Sequence, residues 1–155
     1  MTYTDALLDT NILLRVTDGD SSSHAAAIQA VGELHQQKVR LYITPQNLIE
    51  FWAVASRPKA SNGLGLDLLE TRRRIEDFQK SFHLAEDTPR VYEEWLALVI
   101  AHGVSGKQVH DARLVAVMKA HGINAMLTFN TEDFRRYAGP DLAFLHPDDV
   151  ADAEE

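Results

Sequence analysis

The feature that most constrains this chain is an alternation of short apolar runs with longer stretches of helical periodicity. Residues 6–8, 41–43 and 125–128 are apolar runs too short for a helix, and each ends at polar residues. Such runs are typical of buried strands, and residues 82–84 and 143–145 are two shorter candidates. The alternation therefore predicts strands separated by helices.

The stretches between these runs repeat apolar residues at intervals of three and four, as one face of a helix requires. Thr44 followed by Pro45 predicts a capped helix start. Gly122 is a helix stop, and Ser105 with Gln108 fits a capping box. The predicted helices cover residues 11–16, 23–37, 45–55, 66–80, 89–102 and 106–121.

This order predicts an α/β fold, a sandwich of helices around a central, mainly parallel sheet. The 155 residues suit a single domain, and we expect its body to be residues 1–146, with residues 147–155 a solvated acidic tail. We see neither a membrane span nor a secretory signal, so we expect a cytoplasmic protein. Parallel sheets bind ligands at the carboxyl ends of their strands, where the search for a site begins.

Composition narrows the chemistry of that site. The chain has no cysteine, which excludes disulfides, thiolate zinc sites, iron–sulfur clusters and thiol nucleophiles. Its net charge of −8 argues against capture of a polyanion by the whole surface, although a local site is permitted. Any metal must therefore sit on Asp, Glu, Asn or His.

Three carboxylates stand out by position. Asp9 directly follows the first strand, Glu50 lies among apolar residues of a predicted helix, and Asp111 lies near the start of another. Each also has an ordinary interpretation: Asp9 and Asp111 suit helix starts, and Glu50 suits a solvent-facing helix surface. Asn130 and Asp133 follow the strand that ends at Thr128, and they also suit turn or capping chemistry.

Considered together, these acids favour a functional interpretation. Carboxylates gathered at one sheet edge would repel one another unless a cation or a proton lay among them. Oxygen ligands of this kind suit Mg²⁺ or Mn²⁺.

Four segments in this order carry a resemblance to a known family: residues 7–11 (LLDTN), 44–50 (TPQNLIE), 109–114 (VHDARL) and 127–134 (LTFNTEDF). Over nearly its whole length the chain resembles the PIN-domain ribonucleases, most closely the VapC-type toxins of bacterial toxin–antitoxin pairs. The resemblance implies a PIN-like α/β/α sandwich over residues 1–146.

The resemblance also implies a catalytic site made of Asp9, Glu50, Asp111, Asn130 and Asp133. Asp9, Asp111 and Glu50 would bind Mg²⁺ or Mn²⁺, which would support hydrolysis of an RNA phosphodiester bond by water. Asn130 stands where other members carry a carboxylate, which puts a second metal in doubt and leaves Asp133 as a substitute. Supporting positions around the ligands are Thr10, Asn11 and Thr128.

The resemblance further implies an RNA substrate, a VapB-like antitoxin partner whose tail would occupy the cleft, and a homodimer. We expect RNA contacts at Arg72, Arg73, Arg74 and Arg113, although charged stretches are usually solvated helix faces. Aromatic residues such as Trp95 suit either a partner groove or the core.

Three other functions compete with this interpretation. A haloacid-dehalogenase phosphatase also has a strand ending in Asp, but it needs a second Asp where this chain has Asn11. His110-Asp111 suggests an HD-type phosphohydrolase, which would be all-helical. The third is a non-catalytic PIN-fold module that binds RNA or protein, for which Asn130 is the best argument.

Overall fold

The computed structural model describes residues 3–152 and contains a five-stranded sheet flanked by helices. The strands are β1 (Asp5–Leu8), β2 (Arg40–Ile43), β3 (His83–Leu84), β4 (Ala125–Leu127) and β5 (Ala143–Leu145). The helices are α1 (Thr10–Thr17), α2 (His24–Gln36), α3 (Pro45–Ala55), α4 (Leu68–Ser81), α5 (Pro89–His102), α6 (Gln108–His121), α7 (Thr131–Phe134) and α8 (Pro147–Asp152), with short 3-10 turns at Lys59–Ser61 and Arg135–Tyr137.

The sheet order is β3-β2-β1-β4-β5, and all four neighbouring pairs are parallel. The chain builds outward from β1 to β3 and then returns to place β4 on the other side of β1. The strand order therefore reverses at β1, the position at which open parallel sheets have a crevice at their carboxyl edge.

Alternating side chains of the strands divide the core into two layers. Ala6 and Leu8 of β1 pack in one buried cluster, and Leu7 packs in the other. β4 repeats this division, with Leu127 in the first cluster and Met126 in the second. The first cluster contains residues of α1, α2, α3, α4 and α8, and the second contains residues of α5, α6 and α7. The predicted α/β/α sandwich is confirmed, since apolar residues on both faces of each strand require cover on both sides.

Two predicted helix starts differ from the structure. α4 begins at Leu68 rather than Leu66, because the Asp67 side chain accepts a hydrogen bond from the Glu70 backbone N–H. The capping box predicted at Ser105 is wrong: α6 begins at Gln108, and no side chain caps it. Gly106 has a φ of +65° and turns the chain after Ser105, so the helix starts later.

The expectation of a solvated segment after residue 146 is wrong as far as Val150. Residues Pro147–Asp152 form α8, and Val150 is only 7% exposed within the first core cluster. The end of the predicted tail, 153–155, lies outside the described residues. Among the described helices, none is both long and apolar enough to span a membrane.

Candidate metal site at the carboxyl edge of the sheet

Asp9 lies at the carboxyl end of β1, at the crevice formed by the reversal of strand order. Its backbone N–H donates to the carbonyl of Leu127, so the pairing of β1 with β4 continues up to this residue. The carboxylate is 7% exposed and accepts 2.7 Å hydrogen bonds from the Thr10 backbone N–H and the Thr128 hydroxyl. Asp9 is thus the N-cap of α1, and its second oxygen is held by Thr128, the residue that follows β4.

Thr128 connects the segments that surround Asp9. Its hydroxyl donates to Asp9 and accepts hydrogen bonds from the Asn11 side-chain amide at 3.4 Å and from the Asn130 backbone N–H at 3.0 Å. The Asn11 carbonyl oxygen in turn accepts from the backbone N–H of Phe129 at 3.4 Å. Thr128 and Asn11 therefore lie in one network with Asp9, around the position that the sequence indicated.

Glu50 is half-buried on α3 and is held on both of its oxygens. The Thr10 hydroxyl donates to Glu50 Oε1 at 2.8 Å, and the Gln46 amide lies 3.5 Å from Oε2. Asn47, which is fully buried, donates from its amide to the Thr10 hydroxyl at 3.0 Å. The contact with Thr10 holds the Glu50 carboxylate next to the end of β1.

Sequence reasoning did not identify Asn47. Its carbonyl oxygen accepts from the Thr44 backbone N–H at 2.9 Å, and its own N–H donates to the Thr44 hydroxyl, which completes the capping box of α3. An amide at the third helical position after Thr44-Pro45 was a signal for this capping role. The contact with Thr10 depends on the packing of α1 against α3, which cannot be predicted from the local sequence pattern.

Asp111 lies in the first turn of α6 with its side chain half-buried. Within the described residues its carboxylate has no hydrogen-bond or ion-pair partner, so its lone pairs are free. Asp133 of α7 and Glu50 both lie near enough to raise its pKa, and His110 partly opposes them. Asn130 is exposed, and its side chain does not cap α7.

Burial and mutual repulsion raise the pKa values of two of these carboxyls. Desolvation is the main reason that the pKa of Asp9 rises to about 6; the hydrogen bonds from Thr128 and Thr10 oppose it, while Asp111 and Glu50 add to it. Desolvation, followed by Asp133 and Glu50, likewise raises the pKa of Asp111 to about 6. Asp9, Glu50 and Asp111 are therefore close enough to share one electrostatic environment.

The chemistry of these side chains fits a hard divalent cation. The candidate ligands are all carboxylates, which are the ligands that such cations prefer. The protein poorly stabilises the negative charge of two of them, Asp9 and Asp111. Among residues 3–152, however, no three His, Asp or Glu side chains are already grouped closely enough to hold an ion. Asp9, Glu50 and Asp111 nevertheless lie within electrostatic range of one another.

Arg113 lies on α6 beside this cluster. Its guanidinium donates to the Gln46 carbonyl oxygen at 3.1 Å and forms an ion pair with Asp87 at 2.9 Å. The Gln46 amide group also donates to the His110 carbonyl at 2.8 Å. Gln46 thus joins Arg113 to the contacts of Glu50.

The other predicted RNA contacts lie on α4, and each is paired within its own helix. Arg72 pairs with Glu76 at 2.9 Å, and Glu70 pairs with Arg74 at 3.1 Å and with Arg73 at 3.5 Å. Ion pairs at an exposed surface contribute roughly 0–1 kcal/mol, so they could exchange for phosphate at small cost. An RNA contact here stays a prediction.

Comparison with known families identifies the fold around this site. The family model described as PIN domain matches residues 6–140. The chain belongs to the PIN domain family. Membership of this family argues against the haloacid-dehalogenase phosphatase interpretation. The five-stranded sheet excludes the all-helical HD-type phosphohydrolase. No curated protein matches the chain in sequence.

Solved structures of toxin–antitoxin proteins share this PIN fold at low sequence identity. A toxin–antitoxin complex from Klebsiella pneumoniae is 23% identical with a TM-score of 0.62, and covers 92% of this chain and 97% of its own. VapBC-1 from nontypeable Haemophilus influenzae has a TM-score of 0.65 at 15% identity, covering 93% and 98%. VapC20 from Mycobacterium tuberculosis, a sarcin-ricin loop cleaving toxin, has a TM-score of 0.62 at 16% identity, covering 84% and 94%.

Proposed function

We propose that this PIN domain is a metal-dependent endoribonuclease that hydrolyses RNA phosphodiester bonds. The observation that carries the proposal is the convergence of Asp9, Glu50 and Asp111 at the carboxyl edge of the sheet, where burial and mutual repulsion raise the pKa of Asp9 and of Asp111 to about 6. Ionised carboxylates in such an environment are relieved by a cation, and a phosphodiester brings further negative charge that the same cation offsets.

In this proposal Asp9, Asp111 and Glu50 hold Mg²⁺ or Mn²⁺. When bound, such an ion supplies Lewis acidity toward phosphoryl oxygen and makes water a better nucleophile near neutral pH. Thr128 and Asn11 fix the rotamer of Asp9, and Thr10 fixes that of Glu50. No side-chain nucleophile is required.

Asp133 is proposed to take the place of the carboxylate that Asn130 lacks. It is exposed and lies near enough to Asp111 to raise the pKa of that carboxyl, whereas the Asn130 amide is neutral. Asp133 could therefore attract a second cation arriving with the substrate, and Asn130 would contribute at most a neutral oxygen ligand.

The biological role we propose is that of the toxin in a toxin–antitoxin pair. The likeness to VapBC proteins supports a VapB-like antitoxin partner. A homodimer is our proposal for the assembly of the toxin itself. RNA would be contacted by Arg113, beside the carboxylates, and by Arg72, Arg73 and Arg74 on α4.

The test is cleavage of mixed RNA by the purified protein with Mg²⁺, with Mn²⁺ and with a chelator. We expect metal-dependent cleavage that the Asp9→Asn, Asp111→Asn double variant loses while remaining folded. The exposed Asp141→Asn variant is the matched control and should cleave like the wild type. RNA that stays bound in chelator and is still not cut when Mg²⁺ or Mn²⁺ is supplied would contradict the proposal and favour a non-catalytic binding module.

A further inference from the structure

A cavity of about 340 Å³ opens beside the candidate metal site, between α5 and α6. Its walls include Val91, Tyr92 and Trp95 from α5, and Val109, His110 and Arg113 from α6. Asp87 completes the wall next to Arg113. This volume lies at the lower end of the roughly 300–1,000 Å³ typical of small-ligand pockets.

The cavity is coupled to the carboxylates through Gln46. The Gln46 carbonyl oxygen accepts from Arg113 in the cavity wall, and its amide reaches Glu50 Oε2 at 3.5 Å. Asp111 directly follows His110 of the same wall in the sequence. A group bound in the cavity would therefore lie beside the proposed metal-binding carboxylates.

The aromatic residues of the cavity form an open face. Tyr92 is 63% exposed, and its ring lies 6.0 Å from that of Trp95 with the planes at 30°. The Trp95 indole N–H donates to the Val109 carbonyl at 2.8 Å, which fixes that ring in place. A large exposed aromatic side chain beside a fixed one offers a stacking surface that the fold itself does not use.

The charges of the cavity determine which part of a nucleotide it suits. Arg113 is paired with Asp87 at 2.9 Å, so the wall carries a donor and an acceptor with no net charge. A phosphate would be repelled by the Asp87 carboxylate. A planar neutral group can stack on the two aromatic rings. Its polar edge can accept a hydrogen bond from Arg113 and donate one to Asp87.

We propose that this cavity binds an unpaired nucleobase of the RNA next to the cleaved phosphodiester. Tyr92 and Trp95 would stack on the base, and Arg113 and Asp87 would read its polar edge. The inference rests on the proposed ribonuclease function and makes these residues determinants of substrate specificity. Base-edge contacts and stacking are the means by which proteins read unpaired RNA.

The test measures RNA binding by fluorescence in a Trp52→Phe background. The chain has two tryptophans, so Trp95 is then the sole tryptophan and reports on the cavity. The probe is a mixed-sequence single-stranded RNA of twelve nucleotides, compared with an abasic ribose-phosphate chain of equal length. We expect the RNA to quench Trp95 and the abasic chain to leave it unchanged.

Substitutions at Tyr92 then test the stacking. Loss of one stacked ring weakens affinity by about 5-fold to 150-fold, so Tyr92→Ala should lower RNA affinity within that range. Tyr92→Phe should restore affinity, because it keeps the ring. Ile100→Ala is the matched control, since Ile100 is an exposed apolar residue of the same helix outside the cavity.

Three outcomes would overturn the inference. If wild-type protein cleaves RNA but Tyr92→Ala binds it unchanged, the cavity is not a base site although the ribonuclease function stands. If Tyr92→Ala alters sedimentation from dimer to monomer with RNA affinity unchanged, this surface belongs to a second copy of the chain. If the wild-type protein neither binds nor cleaves RNA, the ribonuclease function and this inference fail together.

Discussion

Substitution of the buried Asp9 tests whether the carboxylate site is held at the expense of stability. Asp9 is 7% exposed, and desolvation raises its pKa to about 6 from an ordinary value of 3.8. Each pKa unit corresponds to about 1.4 kcal/mol, so ionised Asp9 destabilises the metal-free fold by about 3 kcal/mol. Asn at this position carries no charge and avoids that cost.

The direction of the pH dependence follows from the raised pKa. Between about pH 4 and pH 6 the folded chain keeps a proton on Asp9 that the unfolded chain has released. The free energy of unfolding therefore falls as pH rises through this window, and the whole penalty is present above about pH 6. Asp111 changes stability in the same direction, with a smaller effect because it is half exposed.

The Asp9→Asn gain is reduced by one lost hydrogen bond. The Asn carbonyl can still accept from the Thr10 N–H, but its amide would face the Thr128 hydroxyl, which already accepts from Asn11 and Asn130. Such a loss costs about 0.5–1.5 kcal/mol. In chelator at pH 8 the variant should therefore be more stable than the wild type by about 1.5–2.5 kcal/mol, and this advantage should disappear near pH 4.

The assay is urea unfolding in chelator from pH 4 to pH 8, with the exposed Asp141→Asn variant as the control for loss of one charge. Saturating Mn²⁺ at pH 8 should then stabilise the wild type by about 2.7 kcal/mol at a hundredfold excess over Kd, and leave Asp9→Asn unchanged. This reasoning would be refuted if the variant were less stable than the wild type at pH 8 in chelator. It would also be refuted if the difference in their free energies of unfolding did not change with pH.

Two further predictions concern residues outside the carboxylates. Asn47→Ala should destabilise the fold by about 2–6 kcal/mol in urea unfolding, since it leaves the Thr44 N–H and the Thr10 hydroxyl short of a buried partner at roughly 1–3 kcal/mol each. A change of no more than about 0.5 kcal/mol, which is usual for a surface substitution, would contradict it. Val150→Ala should cost about 1–3 kcal/mol in the same assay because Val150 is buried in the core, whereas a solvated tail would tolerate it without measurable change.

The strands and their layering could be predicted because their signal is local. Consecutive apolar residues at Leu7 and Leu8 must point to opposite faces of a strand, and the structure places them in different core layers. Apolar residues on both faces predict a sheet covered on both sides. The position of Asp9 at the sheet edge followed from the same pattern, since polar residues begin where the buried strand ends.

Elements whose conformation depends on distant contacts could not be predicted in this way. Residues 147–152 are acidic, and composition favoured solvent, but Val150 packs on the first core layer beside residues of α2. Ser105 had the spacing of a cap, yet the positive φ of Gly106 moved the helix start to Gln108. In both segments tertiary packing or one backbone angle outweighed the local pattern.

The candidate site likewise contains residues that the local sequence pattern predicts and residues that depend on distant contacts. Asp9, Glu50 and Asp111 could be selected as candidates because each stands out from its own segment, as a charge at a strand end, in an apolar stretch or at a helix start. Asn47 could not, because its amide acts on Thr10, which is 37 residues away in the sequence. Local pattern identifies which groups carry the charge, and packing decides which groups orient them.

Two adjacent residues of α3 now explain why Glu50 has a fixed direction. Asn47 holds Thr10, which donates to one Glu50 oxygen, while Gln46 approaches the other oxygen and also accepts from Arg113. The first chain of contacts leads to the buried end of β1, and the second leads to the cavity between α5 and α6. A base bound against Arg113 would therefore act on the same Gln46 that contacts Glu50. In the proposed function, recognition of the substrate and orientation of the carboxylate proposed to bind metal would thus be joined through one side chain.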